Sequence, residues 1–167
     1  MNEKISENEA EKRTGPRIIV IGVGNLLQKD EGIGIHAVKA LQDVQLPDNV
    51  TIIDGGTSPD ILACTRGGDK LIIVDAARAG GEPGAIYRFQ PDDLIAERGA
   101  AISVHELGVP QNLRLMLLSG NEPSEVVIIG IEPKEIEWGI ELSPELEMKI
   151  PEIISVVLRE IGINYKV

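Results

Sequence analysis

Residues Ile18 to Gly34 have the sequence IIVIGVGNLLQKDEGIG, which predicts a buried strand, a glycine turn, a polar loop and the start of a helix. The opening run is continuous, apolar and β-branched, as expected of a parallel strand covered on both faces. Gly22 and Gly24 allow a tight turn, and Glu31 follows where the chain leaves the sheet. Because ligands of open parallel sheets bind beyond the carboxyl ends of strands, we expect Glu31 to be functional.

The same alternation of strands and helices continues along the chain, which predicts a mostly parallel sheet with helices on both faces. The run 85–90 follows a glycine-proline turn closely, so we expect it to be an antiparallel edge strand. The fold class is therefore α/β: a three-layer α/β/α sandwich around a twisted, mostly parallel five-stranded sheet. The other strands are expected at 17–21, 50–54, 71–75 and 126–131. Helices are expected at 31–42, at 57–64, after residue 108, and from Ser143-Pro144 onward. Pro151 should bend or divide this last helix.

The composition divides the chain into an expected tail and an expected folded domain. Residues 1–16 are polar and charged, with little to bury, and we expect a flexible tail whose removal leaves folding intact. Residues 17–167 contain all the apolar periodic segments and are long enough for one domain with a real core. No signal-peptide core is recognisable at the start.

Composition excludes several classes of function. The formal net charge is -11 and the isoelectric point about 4.6, which argues against a nucleic acid partner. Cys64 is the single cysteine, so no intrachain disulfide forms and a cysteine-rich metal site is excluded. No apolar run approaches the roughly 20 residues of a membrane span. We expect a soluble cytoplasmic protein.

Three groups capable of chemistry fall where a parallel sheet would bring them to one edge. Glu31 follows the first strand, Asp75 ends the third, and His105 lies in a loop before a helix. Two carboxylates and one imidazole form a partial ligand shell for a divalent metal such as nickel or zinc, with open positions left for substrate. Helix capping is the competing explanation for acids at such positions.

Four other polar residues have simpler explanations. Asp54 is expected to bond the amides of the turn that follows it, and Asp30 to support its loop or cap the helix. His36 does not share a helix face with Glu31, so a surface position is expected. Cys64 is expected to be a small core residue, because no histidine that could activate its thiol is near in sequence.

A dinucleotide site is not favoured, although Gly22-Val23-Gly24 begins like its fingerprint. The third glycine would fall at Leu27, and Asp30 and Glu31 place negative charge where a pyrophosphate would bind. No zincin motif or nucleophile elbow is present.

Several motifs, in order, resemble the nickel-iron hydrogenase maturation endopeptidases. The first joins 22–27 (GVGNLL) to 30–34 (DEGIG). The others are Asp54-Gly55-Gly56-Thr57, Val74-Asp75-Ala76, 103–108 (SVHELG), Gly130-Ile131-Glu132-Pro133 and 139–144 (GIELSP). Together they cover residues 17–161, and residues 1–16 have no counterpart. Residues 17–167 are thus expected to be one maturation protease domain of α/β hydrolase type.

The resemblance implies a concrete function. Members of that family, usually grouped with aspartic endopeptidases, remove a C-terminal extension from the hydrogenase large-subunit precursor after nickel insertion. The metal in the substrate is their recognition element, so nickel arrives with the precursor and no organic cofactor is needed. The metal-contacting residues of the family fall on Glu31, Asp75 and His105.

We assign these three residues as catalytic residues and as ligands to the nickel of the precursor. Asp75 is the preferred general base, because an acid at a buried strand end can have a raised pKa. Two other classes of function stay open: a non-catalytic chaperone that checks for nickel, and a small-molecule hydrolase that binds a metal of its own.

Overall fold

A computed structural model describes residues 15–57, 66–95, 103–104, 109–120 and 122–163. Its strands are β1 (Ile18–Gly22), β2 (Val50–Asp54), β3 (Lys70–Arg78), β4 (Ile86–Phe89), β5 (Ser103–Val104) and β6 (Glu125–Ile131). Its α-helices are α1 (Ile33–Leu41), α2 (Pro91–Ile95), α3 (Val109–Ser119) and α4 (Pro144–Ile161), and a 3₁₀ turn at Lys29–Gly32 precedes α1.

The central sheet has the strand order β2-β1-β3-β6-β4. β1, β2, β3 and β6 run parallel, and β4 pairs antiparallel with β6 at the edge. The predicted five-stranded sheet with one antiparallel edge strand is therefore confirmed. The two-residue strand β5, in a segment expected to be a loop, adds a short antiparallel pairing to the end of β3.

Apolar side chains alternate between the two faces of the sheet and form two cores. Residues from α1 and α4 cover one face, where Ile33, Val38 and Val157 pack against β1, β3 and β6. Helix α3 covers the other face through Val109, Leu113 and Met116. The arrangement is the expected three-layer α/β/α sandwich.

The strand order places a topological switch between β1 and β3. The chain runs from β1 outward to β2 and then returns to add β3 on the other side of β1. A crevice forms beyond the carboxyl ends of the strands at such a switch, and it is the usual ligand site of an open α/β sheet. The loop after β1 and the carboxyl half of β3 border this crevice.

Close backbone packing shapes the loop after β1. The Val23 amide donates to the Val74 carbonyl at 2.8 Å, and the Asn25 amide donates to the Glu31 carbonyl at 3.3 Å. A Cβ on Gly24 would overlap the Glu31 carbonyl, and one on Gly34 would overlap the carbonyls of Val23 and Val74. These glycines are therefore needed for backbone approach within the protein.

Several element boundaries differ from the sequence prediction. The first helix begins as a 3₁₀ turn and becomes an α-helix only at Ile33. Strand β3 continues past Asp75 to Arg78, because Ala77 and Arg78 pair with β5. Helix α4 runs through Pro151 without being divided.

Some predictions lie outside the described residues. These are the tail at 1–16, except Gly15 and Pro16, most of the helix at 57–64 with Cys64, and His105. Within the described ranges, no helix is both long enough and apolar enough to cross a membrane.

Candidate active site

Glu31 and Asp75 are brought to the same crevice by different elements. Glu31 lies in the 3₁₀ turn after β1 and is 8% exposed, whereas Asp75 lies in β3 and is fully buried. The negative charge of Glu31 acts on the carboxyl group of Asp75, so the two acids are electrostatic neighbours. The sequence-based expectation that these two side chains share one edge of the sheet agrees with this placement.

Only one of the two carboxyl oxygens of Asp75 has a hydrogen-bond partner among the described residues. Its Oδ1 accepts a hydrogen bond of 2.8 Å from the Ala76 amide. Its Oδ2 is buried and has no hydrogen-bond partner among the described residues. A buried acceptor without a partner is costly, so this oxygen makes Asp75 a candidate for binding a ligand. The donor set here is a pair of carboxylate oxygens, which suits a divalent cation.

Burial raises the pKa of Asp75 well above its usual range. The hydrogen bond from the Ala76 amide opposes this rise, and the charge of Glu31 adds to it. Perturbed acids of this kind concentrate at functional sites.

The third predicted ligand, His105, lies outside the described residues, immediately after β5. Within the described ranges, no three histidine, cysteine or acidic side chains form a group able to hold a metal. The assignment of Glu31, Asp75 and His105 as metal ligands therefore stays a prediction.

Asp30 has a role that the sequence did not predict in full. It is completely buried, and it accepts hydrogen bonds from the Lys134, Glu135 and Ser143 amides at 2.7–2.9 Å and from the Ser143 hydroxyl at 2.8 Å. It caps neither the 3₁₀ turn nor α1. Ser143 precedes α4, but its hydroxyl donates to Asp30 and forms no capping hydrogen bond with the helix. Asp30 thus fixes the 132–143 loop beside Glu31.

The family model described as HycI, hydrogenase maturation protease, matches residues 35–160. This chain belongs to the hydrogenase maturation protease family. As a member, it is a peptidase with a role in hydrogenase maturation.

Individual relatives agree with this assignment. The chain is 37% identical over 154 residues to the hydrogenase 2 maturation protease of Escherichia coli, covering 89% of this chain and 94% of the relative. It is 36% identical over 150 residues to the hydrogenase expression/formation protein HupD of Thiocapsa roseopersicina, covering 87% and 68%. The solved structure of the hydrogenase maturating endopeptidase HybD from E. coli superposes with a TM-score of 0.74 at 33% identity, covering 87% and 94%.

Two further sequence predictions for this maturation protease can be compared with the structure. The expected turn bond of Asp54 is confirmed, because its Oδ1 accepts from the Gly56 amide at 3.0 Å. The expected surface position of His36 is wrong, because the side chain is half-buried and its Nε2 is enclosed without a hydrogen-bond partner among the described residues. Burial lowers the pKa of His36, Lys39 lowers it further, and Glu147 opposes them. Packing of α4 against α1, which the sequence of α1 alone does not show, causes this burial.

The raised pKa of Asp75 predicts that this buried carboxyl group lowers the free energy of unfolding at neutral and alkaline pH. The pKa of Asp75 is higher in the folded protein than in the unfolded chain, because burial disfavours the charged carboxylate. Stability is therefore lost as the pH rises from the pKa of the unfolded chain through the pKa of the folded protein. The isosteric, uncharged Asp75→Asn variant should therefore melt above the wild type at pH 8, by about 3 °C or more. The difference should shrink towards pH 4. Calorimetry of both proteins without precursor measures it, and an unchanged or lower melting temperature at pH 8 would contradict the burial argument.

Proposed function

We propose that this protein is an endopeptidase that removes the C-terminal extension of a nickel-iron hydrogenase large-subunit precursor after nickel insertion. The partner is the nickel-loaded precursor, and the nickel ion belongs to that substrate. The observation that carries the proposal is the unsatisfied Oδ2 of Asp75 next to Glu31, in the crevice of a chain from this family. A metal-bearing substrate would supply the partner that this oxygen lacks.

In this proposal Glu31, Asp75 and His105 bind the nickel ion of the precursor. Two carboxylates and an imidazole leave other coordination positions to the precursor's own ligands. Binding through the metal would allow the protease to act on the nickel-loaded precursor and not on the nickel-free one. It would also hold the adjacent peptide bond against Asp75, which lowers the entropic cost of reaction.

Asp75 is proposed to act also as the general base, in the manner of an aspartic peptidase. In the protein without precursor, burial raises the pKa of Asp75. This brings the carboxyl group closer to the range in which it accepts a proton effectively near neutral pH. Asp75 would take a proton from water as the water oxygen attacks the scissile carbonyl carbon. The same proton then passes to the leaving amine as the C–N bond breaks, so that atoms and charge balance.

Incubation of the purified protein with nickel-loaded and nickel-free precursor tests this proposal. Intact-mass spectrometry should show loss of a C-terminal peptide from the nickel-loaded precursor only. Binding without cleavage would favour a nickel-checking chaperone in place of the protease. Absence of both binding and cleavage would favour a small-molecule hydrolase with a metal of its own.

A further inference from the structure

An exposed apolar surface lies beside the candidate active site. Leu27, Trp138 and Ile140 are 54%, 79% and 68% exposed, and Trp138 is the single tryptophan of the chain. We call these three residues the apolar ledge. Large apolar side chains exposed side by side mark interaction surfaces, and tryptophan is enriched among the residues that contribute most to binding.

The ledge is held in place by the loop after β1. The Lys29 amide donates to the Gly139 carbonyl at 2.9 Å, and the Gly139 amide donates to the Leu27 carbonyl at 3.0 Å. The Lys29 ammonium also pairs with Glu135 and Glu137 on the 132–143 loop. Because these bonds fix the backbone under all three ledge residues, the apolar side chains are presented in a preorganised arrangement, which lowers the cost of binding.

A cavity of about 880 Å³ continues from the ledge, between α1, α4 and the 132–143 loop. Ile140 belongs to both the ledge and the cavity wall, and the half-buried His36 lines the wall as well. Glu141 and Glu147 are exposed wall residues, and neither forms an ion pair with any residue that the structure describes. Lys29 is the lysine of the wall, and its charge is already neutralised by Glu135 and Glu137. The charges of Glu141 and Glu147 are therefore not balanced, and the wall is negative.

The charge of this surface restricts its occupant. The chain carries a net charge of -11, so a second copy would bring like charge to an acidic wall. A segment that combines apolar side chains with lysine or arginine fits both the ledge and the wall. Leu27 and Glu31 are four residues apart, so their Cα atoms are at most about 14 Å from each other. A segment on the ledge would therefore lie within a few residues of the candidate active site.

We infer that the apolar ledge and the acidic cavity form a docking surface for a basic, apolar segment of the hydrogenase precursor, separate from the site that binds nickel. This inference rests on the proposed function. The ledge selects the polypeptide and sets its direction, whereas Glu31 and Asp75 act on the metal and the scissile bond. Affinity for the precursor then depends on two separate but neighbouring sets of contacts.

Kinetics on nickel-loaded precursor test the inference with two variants. Trp138→Ala should raise KM by about tenfold with kcat within about twofold, because it removes binding shared by ground state and transition state. The double variant Glu141→Gln/Glu147→Gln should raise KM at low salt and weaken the dependence of KM on ionic strength. An unchanged KM in both variants would overturn the inference.

Matched controls separate docking from general surface effects. Leu118→Ala removes an 83% exposed leucine from α3 on the opposite face of the sheet. Asp48→Asn/Asp92→Asn removes two exposed charges, one just before β2 and one in α2, neither of which lines the cavity. Both controls should keep KM within about twofold of the wild type. If they raise KM as much as the test variants do, the effect is not specific to the ledge and the inference fails.

Failure of the inference and failure of the proposed function give different results. If the wild type binds the precursor without cutting it, the protease proposal fails, and loss of that binding in Trp138→Ala still supports the ledge. If the wild type captures no precursor, both fail. If the emission of Trp138 shifts to the blue as the protein alone is concentrated, a second copy covers the ledge and the inference is overturned.

Discussion

The Asp75→Asn variant is expected to bind nickel-loaded precursor but to cut it about 10²- to 10⁴-fold more slowly than the wild type, the usual cost of losing a general base. An amide oxygen can still coordinate a metal, but it carries no charge and accepts no proton from water. That oxygen has two lone pairs, so it can accept from the Ala76 amide, as Oδ1 does in the wild type, and still coordinate the metal. The local backbone should therefore be preserved. The loss therefore appears in the transition state and only weakly in binding.

His105→Ala is the informative comparison, because His105 is assigned to bind the metal and has no assigned role in proton transfer. This variant should lose capture of the precursor and cleavage together. A pull-down and a cleavage time course on both variants give the two quantities. Asp75→Asn is expected to be at least as stable as the wild type at neutral pH, so unfolding of the variant would not account for slow cleavage. Normal processing by Asp75→Asn would remove both roles assigned to that residue.

The second large effect is expected at Asp30. In Asp30→Asn, one carboxylate oxygen becomes an amide group whose hydrogens face the N–H and O–H donors of the 132–143 loop. Leaving buried donors unsatisfied should lower the free energy of unfolding by about 3 kcal/mol. For a domain of this size that corresponds to a fall in melting temperature of about 6–12 °C.

Asp54→Asn is the matched control for this measurement. Asp54 is exposed and accepts a single hydrogen bond, from the Gly56 amide, which an asparagine oxygen can also accept. Its melting temperature should stay within about 2 °C of the wild type. Equal melting temperatures for the two variants would mean that Asp30 does not hold the 132–143 loop.

Local sequence was sufficient for most of the fold. Continuous β-branched runs such as Ile18–Ile21 identify buried parallel strands, and the short connection before Ile86–Phe89 identifies the antiparallel edge strand. Because parallel strands share one carboxyl edge, the proximity of Glu31 and Asp75 could also be predicted. The resemblance in ordered motifs supplied the family, which the comparisons confirmed.

Features that depend on distant partners could not be predicted from local patterns. The bonds of Asp30 reach residues more than a hundred positions away. Strand β3 extends beyond Asp75 because Ala77 and Arg78 find partners in β5. Burial of His36 depends on the packing of α4 against α1. In each case the deciding contacts come from residues distant in sequence, which local patterns do not show.

Contact between Glu31, Asp75 and the nickel of the substrate can be observed directly by X-ray absorption at the nickel edge. Spectra of nickel-loaded precursor are recorded alone and after addition of an equimolar amount of protease, frozen before appreciable cleavage. New oxygen or nitrogen scatterers at about 2 Å are expected on mixing, because carboxylates and imidazole bind such metals at that distance. The Asp54→Asn protein should give the same change, and Glu31→Gln a smaller one. A nickel spectrum that is identical with and without the protease, under conditions in which the two proteins bind, would contradict a metal-contacting role for Glu31 and Asp75.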